Sequence, residues 1–220
     1  MIPPKEQWCI QVDITNACTR ACSNCTRMLS HVTQPFFMAC GEFVRAVDAL
    51  KDFPEESLPS KAASIKLVGV IGGEPLLHPA FPTLLRILAD KIPNKNYRGL
   101  WTGLKWESTE HADIIREVFD EKYIHNNRHE KRAKHTPVLI AIREVVEDPA
   151  ERARIIDGCW LQHRWSSSIT PKGLFFCEVA GAMDMVFGGP GGLSVEPGCW
   201  RRPLEDFREQ IDRWCQRCGV

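Results

Sequence analysis

The chain has 220 residues, with 28 acidic and 28 basic side chains in balance and ten cysteines. That length suffices for a substantial core in one domain or one and a half, and the zero net charge excludes a global field that would steer the chain to nucleic acid or an anionic membrane. No apolar stretch approaches the roughly 20 residues that cross a bilayer, and the opening Met1-Ile2-Pro3-Pro4-Lys5-Glu6 lacks a basic segment followed by an apolar run, so the sequence reads as cytoplasmic, with neither a secretory signal nor a membrane partner.

In chain order, Trp8 to Ile14 alternates apolar with other residues and predicts a first strand ending at Thr15-Asn16. A helix follows from about Ala39 to Phe53, with Phe43, Val44, Val47 and Leu50 on one face and Pro54 as its stop. Ser64 to Ile71 is β-branched and apolar, as a strand covered on both faces requires, and delivers Gly72-Gly73-Glu74-Pro75. Phe81, Leu84, Leu85, Leu88 and Ile92 make an amphipathic helix ending before Pro93. Tyr97 to Thr102 is a weaker strand, Ser108 or Thr109 caps a helix with Ile114, Ile115, Val118 and Phe119 on its apolar face, and Lys122 to His125 and Pro137 to Ile142 are further strands. Strand alternates with helix through residue 150, which predicts an α/β fold with a parallel sheet and helical crossovers; periodicity leaves a barrel and a doubly wound sheet both open.

Beyond residue 150 the pattern changes. Ser166 to Thr170 and Gly173 to Cys177, joined by Pro171-Lys172, predict a hairpin, and Pro203 opens a helix with Leu204, Phe207, Ile211 and Trp214 on one side. The run Gly188-Gly189-Pro190-Gly191-Gly192 does not pass from a strand into a helix, so it is not a phosphate loop.

The cysteines are clustered, and in a reduced compartment such clusters serve metals or redox chemistry rather than stapling. Cys18, Cys22 and Cys25 stand in C-x3-C-x2-C spacing directly after the first strand. Three thiolates can hold three irons of a 4Fe-4S cube and leave the fourth iron to a ligand that is not protein, whereas an electron-transfer cluster is normally closed by four. Cys159, Cys177 and the pair Cys215-x2-Cys218 could share a second centre once the hairpin brings them together. Cys9, Cys40 and Cys199 are left as small buried hydrophobes. Arg143, closing the strand Pro137 to Ile142, would face a cavity mouth and orient a substrate or assist proton removal; it could equally pair with Glu144 or Glu147. The charged stretch Arg128 to His135 reads as an exposed face.

The C-x3-C-x2-C loop after a first strand, followed in order by Gly72-Gly73-Glu74-Pro75 after a buried strand, resembles the radical S-adenosylmethionine (SAM) enzymes. The resemblance implies a partial (β/α)6 TIM-like barrel over residues 1–150. It implies one 4Fe-4S cluster on Cys18, Cys22 and Cys25, with SAM chelated on the open iron through its amino and carboxylate groups. Gly72, Gly73, Glu74 and Pro75 would then contact the SAM amino group, and Asn126 or Asn127, after the fourth strand, would supply a ribose contact. Asn24 departs from the aromatic residue often found before the third cysteine. Residues 151–220 resemble the twitch or SPASM-like region, which implies a hairpin-plus-helix domain holding an auxiliary 4Fe-4S cluster on Cys159, Cys177, Cys215 and Cys218, with Cys199 as a possible substitute for one of them. Four thiolates with one C-x2-C pair would also suit structural zinc.

Carried over as a function, the resemblance implies reductive cleavage of SAM to a 5'-deoxyadenosyl radical and hydrogen abstraction from a small-molecule substrate. The expected outcome is a two-electron oxidation of a carbohydrate- or aminocyclitol-like molecule, with the auxiliary cluster as acceptor and a reducing partner such as flavodoxin or ferredoxin. Two alternatives stand beside it: oxidation or crosslinking of a ribosomal peptide or protein, and a non-catalytic interaction module in which both cysteine sets hold zinc.

Overall fold

The computed structural model describes residues 1–57, 65–126 and 139–220. Strands β1 (Cys9–Thr15), β2 (Leu67–Gly72), β3 (Arg98–Thr102), β4 (Ile124–Asn126), β5 (Ser166–Thr170) and β6 (Gly173–Phe175) form one six-stranded sheet in the order β4-β3-β2-β1-β5-β6. Neighbours run parallel except in the hairpin β5–β6, which is antiparallel. Every residue of β1 is buried, as a central strand covered on both faces must be.

Around the sheet lie α1 (Cys40–Leu50), α2 (Phe53–Glu56), α3 (Phe81–Lys91), α4 (Ala112–Val118), α5 (Ile142–Val145), α6 (Pro149–Asp157), α7 (Trp160–Arg164), α8 (Glu178–Val186) and α9 (Arg208–Trp214). The apolar faces foreseen for α1, α3 and α4 are the buried ones: Phe43, Val47 and Leu50; Phe81, Leu84, Leu85 and Leu88; Ile115 and Val118. They close over Ile10, Val12, Val68, Val70 and Leu100 in the main core, which also takes in Phe207 and Trp214 from the C-terminal segment. The glycine run is explained by close approach: a Cβ on Gly192 would stand 2.4 Å from the Leu174 carbonyl oxygen, and one on Gly189 would meet Asp184 at 2.1 Å.

One expectation needs correction. Of the strand expected at Pro137 to Ile142, the first two residues lie outside the described ones, Leu139 to Ala141 form no strand, and Ile142 opens α5. The fifth parallel strand is β5 instead, which docks on the far side of β1. The sheet thus has five parallel strands with an antiparallel edge at β6, in a mixed α/β fold, and the hairpin expected at Ser166 to Thr170 and Gly173 to Cys177 is part of it.

The second face of the sheet positions the site. Cys9, Gln11 and Asp13 of β1 share it with Leu67, Gly69 and Ile71 of β2 and, by register, with Ser166 and Ser168 of β5. Toward the start of the strands it is filled by aromatic rings: Trp8 lies 5.9 Å from Trp101 and 5.3 Å from Trp165, and Trp101 stacks on His125 at 4.4 Å. Gly69 makes room for that filling, since a Cβ there would fall 2.6 Å from the Trp101 ring. At the other end of the strands a cavity opens. Among the described residues no helix is long and apolar enough to cross a membrane.

Candidate active site

The segment between β1 and α1 forms a loop that carries Cys18, Cys22 and Cys25, and its neck is closed by the residues that end β1. Thr15 Oγ1 donates to the Phe36 carbonyl oxygen at 2.6 Å and accepts from the Ala17 amide at 3.0 Å, while Asn16 Oδ1 accepts from the Phe36 amide at 2.7 Å. The Met38 amide donates to Ile14 O at 2.8 Å. Inside the loop Asn24 and Met28 have φ of 55° and 53°, the left-handed region that Asn tolerates and bulky residues resist. This backbone fits Asn at position 24, where the resembling family often has an aromatic residue.

The three cysteines line a cavity of about 670 Å3 at the C-terminal ends of β1, β2 and β3. Burial raises the thiols of Cys18 and Cys22 above their ordinary value, and the charge of the neighbouring sulfurs adds to the rise. Such thiols become thiolates when a metal centre supplies the compensating positive charge.

Gly72, Gly73 and Glu74 fix that loop to the sheet. The Gly73 and Glu74 amides donate to Thr15 O and Ala17 O at 2.8 and 2.7 Å. A Cβ on Gly72 would stand 2.1 Å from Thr15 O, and one on Gly73 would stand 2.3 Å from Ala17 O. The glycine pair therefore permits the loop backbone to lie against the strand end, and these two amide hydrogens are taken up by the loop. Glu74, 1 % exposed, accepts from Thr102 Oγ1 at 2.7 Å, the Gly103 amide at 2.8 Å and the Leu76 amide at 3.3 Å. Burial raises its carboxyl, while these hydrogen bonds and the charge of Arg20 pull it back. Arg20, from within the cysteine loop, donates to Gly103 O at 2.5 Å, so Glu74 and Arg20 join the loop, β2 and β3 at one corner. Pro75 begins the 3-10 turn Pro75–Leu77 behind this corner and does not line the cavity.

The opposite corner is a second buried polar cluster. Arg27 donates to Asp13 Oδ2 at 3.0 Å, Gln11 Oε1 at 2.8 Å, and the Glu178 carbonyl and carboxylate oxygens at 3.2 and 3.3 Å. Asp13 titrates at about 6, raised by burial and by Glu178 against the opposing pull of Arg27. Trp160, Leu161, Trp165 and Val220 complete the wall.

Cys159, Cys177, Cys215 and Cys218 line a smaller cavity of about 350 Å3, with Phe176, Val179, Met183 and Trp214 among its apolar walls. Cys159 precedes α7, Cys177 precedes α8, and Cys215 and Cys218 flank the turn that follows α9. Burial pushes the thiols of Cys177, Cys215 and Cys218 up, and Cys159 acts as a nearby charge on all three, which is the mark of sulfurs gathered in a medium of low polarity. Cys199 does not line this cavity; it is buried in the turn Cys199–Arg201 beside Trp200. An all-thiol donor set fits an iron-sulfur cluster or zinc. Among the described residues no three Cys, His, Asp or Glu side chains are gathered closely enough for one metal ion. The two cavities share Trp160, Leu161 and Val220.

Of the residues singled out from sequence, Cys18, Cys22, Cys25, Gly72, Gly73 and Glu74 meet in the larger cavity, and the other four cysteines meet in the smaller. Arg143 is exposed on α5 and lines neither. Asn126 is exposed at the end of β4, where its Nδ2 donates to Leu104 O at 3.3 Å, and it lines neither cavity. Asn127 lies outside the described residues. Sequence reasoning missed Arg20, Arg27, Thr102, Gly103 and Glu178. Thr102-Gly103 carried a usable signal, since it ends a strand of the same sheet. Arg20 and Arg27 carried another, being inside and beside the cysteine loop.

No protein-family model matches the chain, and comparison with curated proteins finds no match. Among solved structures, BtrN in complex with AdoMet and 2-DOIA is 16% identical, with a TM-score of 0.52 over 96% of this chain and 87% of that one. BtrN with selenomethionine, in an open conformation, is 14% identical, with a TM-score of 0.50 over 96% of this chain and 86% of that one. At such identities the likeness is one of fold.

Proposed function

We propose that this chain is a radical SAM oxidoreductase that dehydrogenates a small carbohydrate- or aminocyclitol-like molecule, drawing its electron from a reductant such as flavodoxin or ferredoxin. The observation that carries the reading is the convergence of three thiols in C-x3-C-x2-C spacing with Gly72-Gly73-Glu74 on one cavity at the ends of β1, β2 and β3. The likeness of fold to BtrN, whose solved structure holds AdoMet and 2-DOIA, supports the same ligand class here.

When bound, a reduced 4Fe-4S cluster and SAM supply a 5'-deoxyadenosyl radical able to take a hydrogen atom from a C–H bond. The chain's own residues do the rest. Cys18, Cys22 and Cys25 would hold three irons, on a loop whose neck is fixed by Thr15 and Asn16. The Glu74 carboxylate, anchored to Thr102 and Gly103, places negative charge where a SAM ammonium group can meet it. Trp160, Leu161 and Trp165 give the cavity an apolar wall. Cys159, Cys177, Cys215 and Cys218 would hold a second 4Fe-4S cluster, which would supply an electron acceptor, and the cavity they line shares Trp160, Leu161 and Val220 with the larger one.

The test is iron and sulfide content with low-temperature electron paramagnetic resonance after anaerobic reconstitution, in wild type and in the Cys18→Ala/Cys22→Ala/Cys25→Ala variant. The expected result is about eight irons in wild type and about four in the variant, with a spectrum that SAM alters only in wild type. Zinc in place of iron, with no response to SAM, would overturn the reading and leave a structural metalloprotein.

A further inference from the structure

The larger cavity has polar chemistry that neither the cysteine loop nor Glu74 uses. Glu178 is 6 % exposed and lines that cavity, although the preceding residue, Cys177, lines the other one. One of its carboxylate oxygens, Oε2, accepts from Ser166 Oγ at 2.7 Å and from Arg27 Nη2 at 3.3 Å. No hydrogen bond ends on its other oxygen, Oε1, among the described residues. Around it, Asp13 Oδ1, Gln11 Nε2, Arg27 Nε and Ser168 Oγ are buried without a hydrogen-bond partner, and of these four residues Arg27 lines the cavity.

A buried polar atom left unpaired is costly, and such atoms recur in native proteins where a ligand, ion or water completes them. Arg27 Nε and Glu178 Oε1 belong to residues that line the cavity, where a ligand can supply the missing contacts. The charges say which sign that ligand has. The ionisable side chains lining the cavity, apart from its cysteines, are Arg20, Arg27, Glu74 and Glu178. Arg20 lies with Glu74 at one corner, whereas at the other a single guanidinium, Arg27, faces two carboxylates, Asp13 and Glu178. The second corner therefore carries excess negative charge and one carboxylate oxygen without a partner.

We propose that Glu178, held in place by Arg27 and Ser166, is a specificity-determining residue that binds a protonated amino group on a small polyhydroxylated substrate. The assignment rests on the reading of this cavity as a SAM-dependent radical site, and it narrows that reading to amine-bearing polyols. A cation at Glu178 Oε1 balances the second carboxylate of the corner. A neutral polyol meets the same groups without the charge.

The experiment uses the reconstituted, SAM-bound protein and two probes that differ by one substituent, scyllo-inosamine and scyllo-inositol. Affinity is measured by calorimetry for wild type, Glu178→Gln and Glu178→Asp, and the SAM-induced change in the resonance spectrum is recorded for each. Wild type is expected to bind the amine at least tenfold more tightly than the neutral cyclitol. Glu178→Gln should lose at least tenfold in affinity for the amine with little change for the neutral probe, and Glu178→Asp should recover part of the loss. All three proteins should keep the SAM response. Failure of wild type to prefer the amine, or an unchanged preference in Glu178→Gln, with the SAM response intact, would overturn this assignment alone. Loss of the SAM response in wild type would instead overturn the function proposed above.

Discussion

The two thiol-lined cavities differ in what holds their sulfurs together. The larger takes its three cysteines from eight consecutive residues, Cys18 to Cys25, on a loop tied by hydrogen bonds at Thr15, Asn16, Arg20 and Arg27. The smaller takes four from three separated parts of the chain, each at the end of a helix or turn. Its walls are mostly apolar, and one of the main-chain ties between its segments is the Ile142 amide on Cys218 O at 2.9 Å. A loop already fixed by polar contacts can lose its metal and keep its shape. Segments that meet across an apolar cavity depend more on what fills it.

Removing the thiols tests this most severely. Metal binding contributes to folding wherever the unfolded chain cannot form the site. In reconstituted protein, Cys18→Ala/Cys22→Ala/Cys25→Ala should lower the thermal midpoint by about 3 °C, and Cys177→Ala by about 8 °C, taking roughly 2–4 °C per kcal/mol at this chain length. Scanning calorimetry reads both. Equal drops would mean that the loop, too, depends on its metal for shape.

The same contrast explains what was legible in the sequence. Cys18, Cys22 and Cys25 sit within a few residues of one another, so spacing alone brought them together, and β2 led into Gly72-Gly73-Glu74 because a buried strand has a plain apolar signature. Of the four cysteines of the smaller cavity only the Cys215-x2-Cys218 pair is local; Cys159 and Cys177 lie far from it in sequence, and grouping them leaned on the expected hairpin and on the resemblance. The strand expected before Arg143 was misjudged because the run looked apolar, whereas Ile142 begins a short helix with no buried residue. Glu178 was missed for a different reason. Its role depends on β5 lying beside β1, a long-range pairing that puts Ser166 and Arg27 within reach and that no local pattern encodes.

Each cavity also has a glycine that the backbone of another segment crowds, which allows a matched pair of substitutions. A Cβ at position 73 would stand 2.3 Å from Ala17 O, and one at position 219 would stand 2.4 Å from the Ile140 backbone nitrogen and oxygen. Backbone cannot yield as a side-chain tip does, so Gly73→Ala and Gly219→Ala should each cost about 2 kcal/mol as overpacking. Their chemical effects should separate. Gly73→Ala is expected to abolish the SAM response while about four irons remain at the other site, and Gly219→Ala to do the reverse. If either variant empties both sites, the cavities are not independent.

The smallest of these effects needs no metal. In the reduced, metal-free chain, burial raises the thiols of Cys18 and Cys22, but Cys177 stands well above its ordinary value. The thiolate is the reacting species, and each pKa unit above the working pH reduces it tenfold. At pH 8 iodoacetamide should therefore modify Cys18 and Cys22 at least tenfold faster than Cys177, as mass spectrometry of the labelled peptides would resolve. Raising the pH should speed the loop cysteines first, because a thiol with a higher pKa gains thiolate only at higher pH. Burial of the Cys177 sulfur acts in the same direction as its charge state, since it also restricts access. Equal rates would show that the helix ends carrying Cys159, Cys177, Cys215 and Cys218 separate without metal, and the smaller cavity would then be assembled by its ligand rather than waiting for it.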